Sequence, residues 1–245
     1  MWNSKFVAVA IFLVLALCYS GTRAETDQPV ATISAVSAGD SISLPPPKLS
    51  GTVSVEQAIA ERRSVREISD AVLSLENLSQ LLWSGQGITE KKEKLRATPS
   101  AGCKYPLEIY VFVGNVEKLP KGLYRYIPNG HKLGTIANYD KRQALARSIP
   151  PNQIERITES PVILVIGAEF ERTQGKYGNQ RGPRYVYVEA GACAENIALQ
   201  AQALHLSTFL WGAFDDNFVF KACQMGSEQP ILIMPIGYKQ KLPKE

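Results

Sequence analysis

Arg96-Ala97-Thr98-Pro99-Ser100-Ala101-Gly102-Cys103-Lys104-Tyr105-Pro106-Leu107-Glu108 runs without a break into Ile109-Tyr110-Val111-Phe112-Val113. The second stretch has the β-branched and aromatic content of a strand. The first is a short hydroxylated loop. Gly102 leaves room there for close backbone approach, and Pro99 and Pro106 pre-set the chain on either side. Such a loop feeding a strand suits a flat ligand, with Ser100 and nearby backbone N–H groups available to the polar edge of a ring. Taken alone it is also ordinary turn chemistry. Three other segments, far apart in sequence, fit the same ligand.

Downstream, Gly122 to Ile127 and His131 to Ile136 flank Pro128-Asn129-Gly130 and read as a hairpin. A helix is expected over 139–148. Pro161 to Ala168 is continuously apolar, as a central strand covered on both faces would be. The longest helix is expected from Tyr185 to His205, buried around much of its circumference, with further strands over 208–214 and 231–237. Upstream, Ser54-Val55-Glu56-Gln57 is a capping-box pattern. The helix it opens carries Val55, Ala58 and Ile59 on one face and ends in Glu61-Arg62-Arg63-Ser64. A second helix starts at Ser74, carries Leu75, Leu78, Leu81 and Leu82, and is expected to stop at Gly85. Gln86 to Lys94 reads as a polar loop. Helices and strands alternate but a hairpin interrupts the series, so the expected class is α+β and not a pure doubly wound fold.

The N-terminus reads as an export signal over residues 1–24: Lys5, then the apolar run Phe6 to Cys18, then small residues up to a cleavage point at Ala24. The run is short for a membrane span. Leu15-Ala16-Leu17-Cys18 also resembles a lipoprotein site, with a bulky Leu17 where a small residue is usual. Residues 25–50, rich in Ala, Ser, Thr and Pro and including Pro45-Pro46-Pro47, read as a flexible linker. The folded domain is expected over 51–245. Removing Lys5 and Arg23 with the signal lowers the formal net charge from +4 to +2, too weak a basic balance for a nucleic-acid binder. Cys103, Cys193 and Cys223 then remain, which is no disulfide framework. Cys103 reads as a small buried residue.

Four constellations could carry chemistry. Arg62-Arg63-Ser64-Val65-Arg66 offers three guanidinium forks and a hydroxyl suited to a phosphate, or simply cations at a helix C-terminus. Pro99 to Gly102 is the loop above. Gly212 and Ala213, within Trp211-Gly212-Ala213-Phe214, would present backbone amides without obstruction. Lys176 and Tyr177, in the polar stretch ahead of the long helix, could hold and pass a proton. There is no nucleophile elbow, zinc-protease helix, Walker loop or dinucleotide fingerprint. His131 and His205 are the only histidines, which leaves no histidine triad and no metal site. Glu189 and Glu195 lie on different faces of one helix and do not form a carboxylate pair.

In this order the segments resemble the nitroreductase superfamily, and more closely its SagB-type (thiazole/oxazole dehydrogenase-like) branch. The likeness rests on Arg62 to Arg66, Pro99 to Gly102 with Tyr105 to Tyr110, Lys176-Tyr177-Gly178, Glu189-Ala190-Gly191 with Asn196, Trp211 to Asp216, and Pro235-Ile236-Gly237-Tyr238. It implies a nitroreductase-like α+β fold with a central mixed or antiparallel sheet flanked by helices, and an FMN-dependent oxidoreductase that forms a homodimer with flavin at the subunit interface. By the resemblance, Arg62, Arg63 and Ser64 hold the FMN phosphate and Arg66 lies near the pyrimidine edge. Pro99, Ser100, Ala101 and Gly102 approach the flavin from the partner subunit. Gly212 and Ala213 face the ring, and Lys176 and Tyr177 assist proton removal. Lys239 and Lys241 are both candidates for a C-terminal phosphate contact.

The expectation is an exported (periplasmic or secreted) enzyme moving two electrons on a small flat or heterocyclic substrate. A binding module that holds flavin without turnover is the alternative, and a colourless structural domain a third.

Overall fold

A computed structural model of the chain describes residues 40–240. The expected signal and most of the expected linker therefore lie outside the described residues, as does Lys241. The elements are β1 (Ser41–Ser43), α1 (Val55–Glu61), α2 (Leu75–Gln86), β2 (Ile88–Glu90), β3 (Leu95–Arg96), β4 (Leu107–Val113), β5 (Gly122–Ile127) and β6 (Lys132–Ala137). They continue with α3 (Arg142–Ala146), α4 (Glu155–Thr158), β7 (Val162–Ala168), α5 (Glu171–Ala203), β8 (Ser207–Thr208), α6 (Asp216–Cys223) and β9 (Gln229–Gly237).

Seven strands form one sheet in the order β1-β6-β5-β4-β7-β9-β8, and every neighbouring pair is antiparallel. Residues Leu107 to Val113 align one by one with Ala168 to Val162. β7 is the central strand its apolar run implied. Val162, Leu164 and Ile166 enter one core, with α2 and α5, while Ile163 and Val165 enter a second, with α3, α4 and α6. Alternation about the pleat forces this split, because successive side chains leave opposite faces. The class is α+β, with a helix layer on each face of the sheet.

Several local expectations are corrected. Gly85 does not stop α2; it lies inside it, and the helix ends at a Gly87 cap. A β-carbon at Gly85 would stand 2.9 Å from Ile197 Cδ1 and 3.2 Å from Cys193 Sγ, so glycine is there to let α2 cross α5 closely. The polar loop after α2 contains a small two-stranded ribbon, β2 with β3. The expected linker ends earlier than residue 50: β1 pairs with β6, and Leu44 is buried. α1 buries Ala58 but leaves Val55 and Ile59 exposed. α3 spans only part of 139–148, and the strand expected over 208–214 shrinks to β8 plus a bridge from Trp211 to Ile233. Helix α6, capped by Asp215 accepting from the Phe218 N–H, was not anticipated.

His131 is more than a turn residue. Its ring contacts the Ser79 hydroxyl at 2.7 Å, the Tyr126 hydroxyl at 2.8 Å and the Pro45 carbonyl at 3.1 Å. It thus clasps the hairpin, α2 and the N-terminal arm together. Burial lowers its pKa below the ordinary histidine value.

Candidate active site

Lys176 and Tyr177 do not sit in a loop ahead of the long helix. They lie inside α5, which begins at Glu171 and is interrupted by non-helical backbone at Gly178. At Gly178 φ is 75°, a left-handed conformation that glycine adopts freely. The break comes directly after the Lys-Tyr pair, and Pro183 follows inside the helix.

The pair stands against the Pro99–Gly102 loop. A β-carbon at Gly102 would lie 2.6 Å from Lys176 Nζ and 2.7 Å from the Tyr177 hydroxyl. The Tyr177 ring also packs on Tyr185, centroids 4.7 Å apart. Two of the four constellations therefore meet within one chain, at a glycine where a side chain would press on both partners.

The loop itself is tightly held. Gly102, Cys103 and Tyr105 all have positive φ (61°, 55° and 47°), uncommon for cysteine and unfavourable for a bulky tyrosine. Three contacts hold Tyr105 there. Its N–H donates to Ser100 Oγ at 2.8 Å, its carbonyl accepts from Arg172 Nη1 at 3.0 Å, and the Arg96 guanidinium lies over its ring at 4.4 Å. Arg172 is fixed in turn by Glu108 at 2.8 Å and Glu169 at 2.6 Å. Cys103, expected to be buried, is exposed, because the left-handed turn carries it outward.

Behind the loop lies a polar cluster that the sequence reading did not assemble. Arg96 donates to Gln86 Oε1 at 2.8 Å, and Thr98 donates to the Gly85 carbonyl at 2.6 Å. Glu189 is 3% exposed, and its Oε1 has no hydrogen-bond partner; the same holds for Gln86 Nε2, at 1% exposure. Burial pushes the Glu189 carboxyl up to about 7, opposed by hydrogen bonding from Ser100 and by the nearby Arg96 charge. The helical spacing of Val186, Glu189, Ala190, Cys193 and Ile197 was the available signal: it puts a carboxylate on the buried stripe of α5.

The basic constellation is built at the other end of the sheet. Ser64 bridges Thr208 in parallel and Ile68 bridges Lys239 in antiparallel fashion. The Val65 N–H donates to the Thr208 carbonyl at 3.0 Å, and the Gln240 N–H to the Glu67 carbonyl at 2.9 Å. Residues 62–69 thereby cover the edge left by β8 and lie beside the tail that carries Lys239. Alternation in such a segment sends Arg62, Ser64 and Arg66 to one side. Arg63 bends back instead, donating to the carbonyls of Ala60 and Arg62 at 2.9 and 2.8 Å, the helix-end role its position also allowed. Arg66 lies 5.5 Å from the centroid of the Phe209 ring. Gly212 and Ala213 are exposed, and a β-carbon at Gly212 would meet nothing within 4 Å.

Consecutive residues of α5 tie the two groups to one helix. Glu195 pairs with Arg62 at 3.3 Å, and Asn196 donates to the Ala97 carbonyl and Thr98 Oγ1, both at 3.4 Å. Glu189 is buried while Glu195 is half-exposed beside Arg62, so the two carboxylates occupy different faces of α5 as expected. Among the described residues no His/Cys/Asp/Glu cluster could hold a metal, and no helix is long and apolar enough to cross a membrane.

The nitroreductase family model matches residues 59–238. A Methanocaldococcus jannaschii protein named as a nitroreductase is 37% identical over 201 residues, covering 82% of this chain and 98% of that protein. The microcin B17-processing protein McbC of Escherichia coli is 27% identical over 171 residues, 67% of this chain and 62% of that protein. A crystal structure named as that of a nitroreductase from Ralstonia eutropha superposes with a TM-score of 0.70 at 26% identity, covering 85% of this chain and 94% of its own. With the antiparallel sheet, the glycine loop and the basic edge segment in one fold, the chain belongs to the nitroreductase family, on the SagB-type branch that its likeness to McbC marks.

Proposed function

We propose that the chain is an exported, homodimeric FMN-dependent oxidoreductase moving two electrons to or from a small flat or heterocyclic substrate. The observation that carries this reading is the meeting of Gly102, Lys176 and Tyr177, which sets an amine and a phenol directly against the glycine loop.

The residues fit FMN. A phosphate needs several fixed donors in one place, and the Ser64–Thr208 and Ile68–Lys239 bridges bring Arg62, Ser64, Arg66 and Lys239 onto adjoining segments. The open space over Gly212 admits a flat group to the backbone there. When bound, FMN would supply the two-electron chemistry. The chain's own residues do the rest. Arg62, Ser64 and Lys239 hold the phosphate, and Arg66, steadied over Phe209, brings positive charge toward the ring edge. Lys176 Nζ and Tyr177 Oη hold or move the substrate proton.

An apolar exposed face supports the dimer. Val55 and Ile59 of α1 are 66% and 60% exposed, and Val188 of α5 is 66% exposed. Helices α1 and α5 pack together, and a second copy would cover such a face. The basic n-region and apolar run of residues 1–24 support export; N-terminal sequencing of the exported protein should begin after Ala24.

The deciding experiment is the visible absorption spectrum of the purified protein, with identification of whatever it releases on denaturation. Stoichiometric FMN is expected. A colourless protein that takes up no added FMN would overturn the reading. Bound FMN with no turnover in the wild type for any supplied electron donor and acceptor would reduce the protein to a flavin-binding module; turnover indifferent to K176A and Y177F would remove the pair from the chemistry.

A further inference from the structure

Resting on the reading above, we propose that Arg172 is a positioning residue: it latches the 100–105 loop to the sheet and so keeps Gly102 against Lys176 and Tyr177.

The latch is anchored before it reaches the loop. Glu108 is the second residue of β4, and Glu169 directly follows β7. The two strands pair from Leu107 and Ala168 onward, and the Glu169 N–H extends the ladder to the Pro106 carbonyl at 2.9 Å. Both carboxylates therefore stand at one end of the central strands. Arg172, in the first turn of α5, spans them. Its Nη1 meets Glu108 Oε1 at 2.8 Å and its Nε meets Glu169 Oε2 at 2.6 Å. The same Nη1 donates to the Tyr105 carbonyl at 3.0 Å. A planar guanidinium can serve three acceptors at once because its donors point in fixed directions.

The loop's own backbone bonds run inside it. The Tyr105 N–H donates to Ser100 Oγ at 2.8 Å, the Cys103 N–H to the Ser100 carbonyl at 3.1 Å, and the Lys104 N–H to the Ala101 carbonyl at 3.4 Å. Such bonds travel with the loop and cannot fix its place on the sheet. Positive φ at Cys103 and Tyr105 persists only where the surroundings impose it. Arg172 imposes it from outside, on the Tyr105 carbonyl, while the Arg96 guanidinium covers the Tyr105 ring. Arg172 and Lys176 are four residues apart on α5, so one face of the helix grips the loop twice, at Tyr105 and at Gly102. Without the first grip, Tyr105 returns toward negative φ and Gly102 is free to leave Lys176.

The test is peptide-resolved hydrogen exchange on the full chain for the wild type, R172A and R172K, alongside turnover with NADH and menadione as probes. In R172A the amides of 100–105 should exchange about tenfold faster, the worth of one charge-assisted hydrogen bond. Those of β4 and β7 should exchange as in the wild type. R172K keeps a charge between the carboxylates but loses the planar fork, and should fall between the two. Turnover of R172A should drop roughly tenfold or more, with the KM for menadione unchanged. R172A/K176A should be no slower than K176A, since Arg172 acts through the placement of that lysine. Unchanged exchange over 100–105, exchange raised equally across β4 and β7, or losses that multiply in the double variant would each overturn the proposal. If R172A does not fold, R172K carries the same comparisons. A wild type that binds no FMN, or turns over nothing, defeats the oxidoreductase reading instead, and the exchange rates still decide whether Arg172 holds the loop.

Discussion

Gly102 and Lys176 lie so close that a β-carbon on the glycine would stand 2.6 Å from the lysine Nζ. The loop and the Lys176–Tyr177 pair therefore pack directly against each other, brought together by the first turns of α5. Gly102 also has a φ of 61°, so any other residue is strained as well as crowded. Gly102→Ala is expected to displace Lys176, lower turnover by about tenfold or more, and destabilise the protein by roughly 1–3 kcal/mol. Thermal melts and steady-state kinetics on the same sample check both.

On the proposed reading, substituting Lys176 and Tyr177 separates binding from chemistry. Lys176→Ala and Tyr177→Phe should each lower turnover by about 10²-fold or more, the usual range for a positioned acid or base. Neither should change the absorption spectrum of bound flavin. Single-turnover kinetics against equilibrium titration would show whether the loss lies in chemistry or in binding.

Arg62 is held by Glu195 at 3.3 Å, a half-exposed pair that contributes little stability. Its value on this reading is orientation toward a phosphate. Arg62→Ala should weaken FMN binding about tenfold, as loss of a charge-assisted hydrogen bond does, and leave the melting temperature nearly unchanged. Riboflavin, which lacks the phosphate, should bind equally to both proteins; unequal binding would place Arg62 elsewhere.

Two buried groups give stability opposite pH dependences. Burial raises Glu189 above its unfolded value, so the folded state holds a proton that the unfolded state releases. The resulting stability is full below about 4.5 and falls as pH rises toward about 7, by on the order of 3 kcal/mol. Burial lowers His131, so the unfolded state binds the extra proton, and stability is lost as pH falls below the ordinary histidine value. Glu189→Gln should flatten the alkaline limb, and His131→Asn the acidic limb below about 6.5. Melting curves at half-unit pH intervals would show each change.

Gly85 tests the helix crossing. Gly85→Leu would drive a side chain into Ile197 and Cys193 and should cost about 1–3 kcal/mol as overpacking does. Gly51→Leu, where a β-carbon meets nothing within 4 Å, should be near neutral.

Much of this architecture is legible in the chain because its signals are local. The uninterrupted apolar run of Val162 to Ala168 identifies the central strand, since only a strand covered on both faces tolerates apolar side chains at every position. The capping box at Ser54 and the helix start expected at Ser74 are reproduced by the structure, each hydroxyl accepting from the N–H three residues on. What sequence alone could not decide depends on residues distant along the chain. Gly85 reads as a stop signal until Ile197 is known to lie against it. Lys176 and Tyr177 read as loop until the turn before Gly178 is seen to pack on Gly102. Glu189 reads only as an acid on a different helix face from Glu195 until α5 is seen to bury that stripe. Propensity and periodicity report what a residue does to its own backbone; close packing and desolvation, which set these three roles, exist only once the sheet and α5 have brought the segments together.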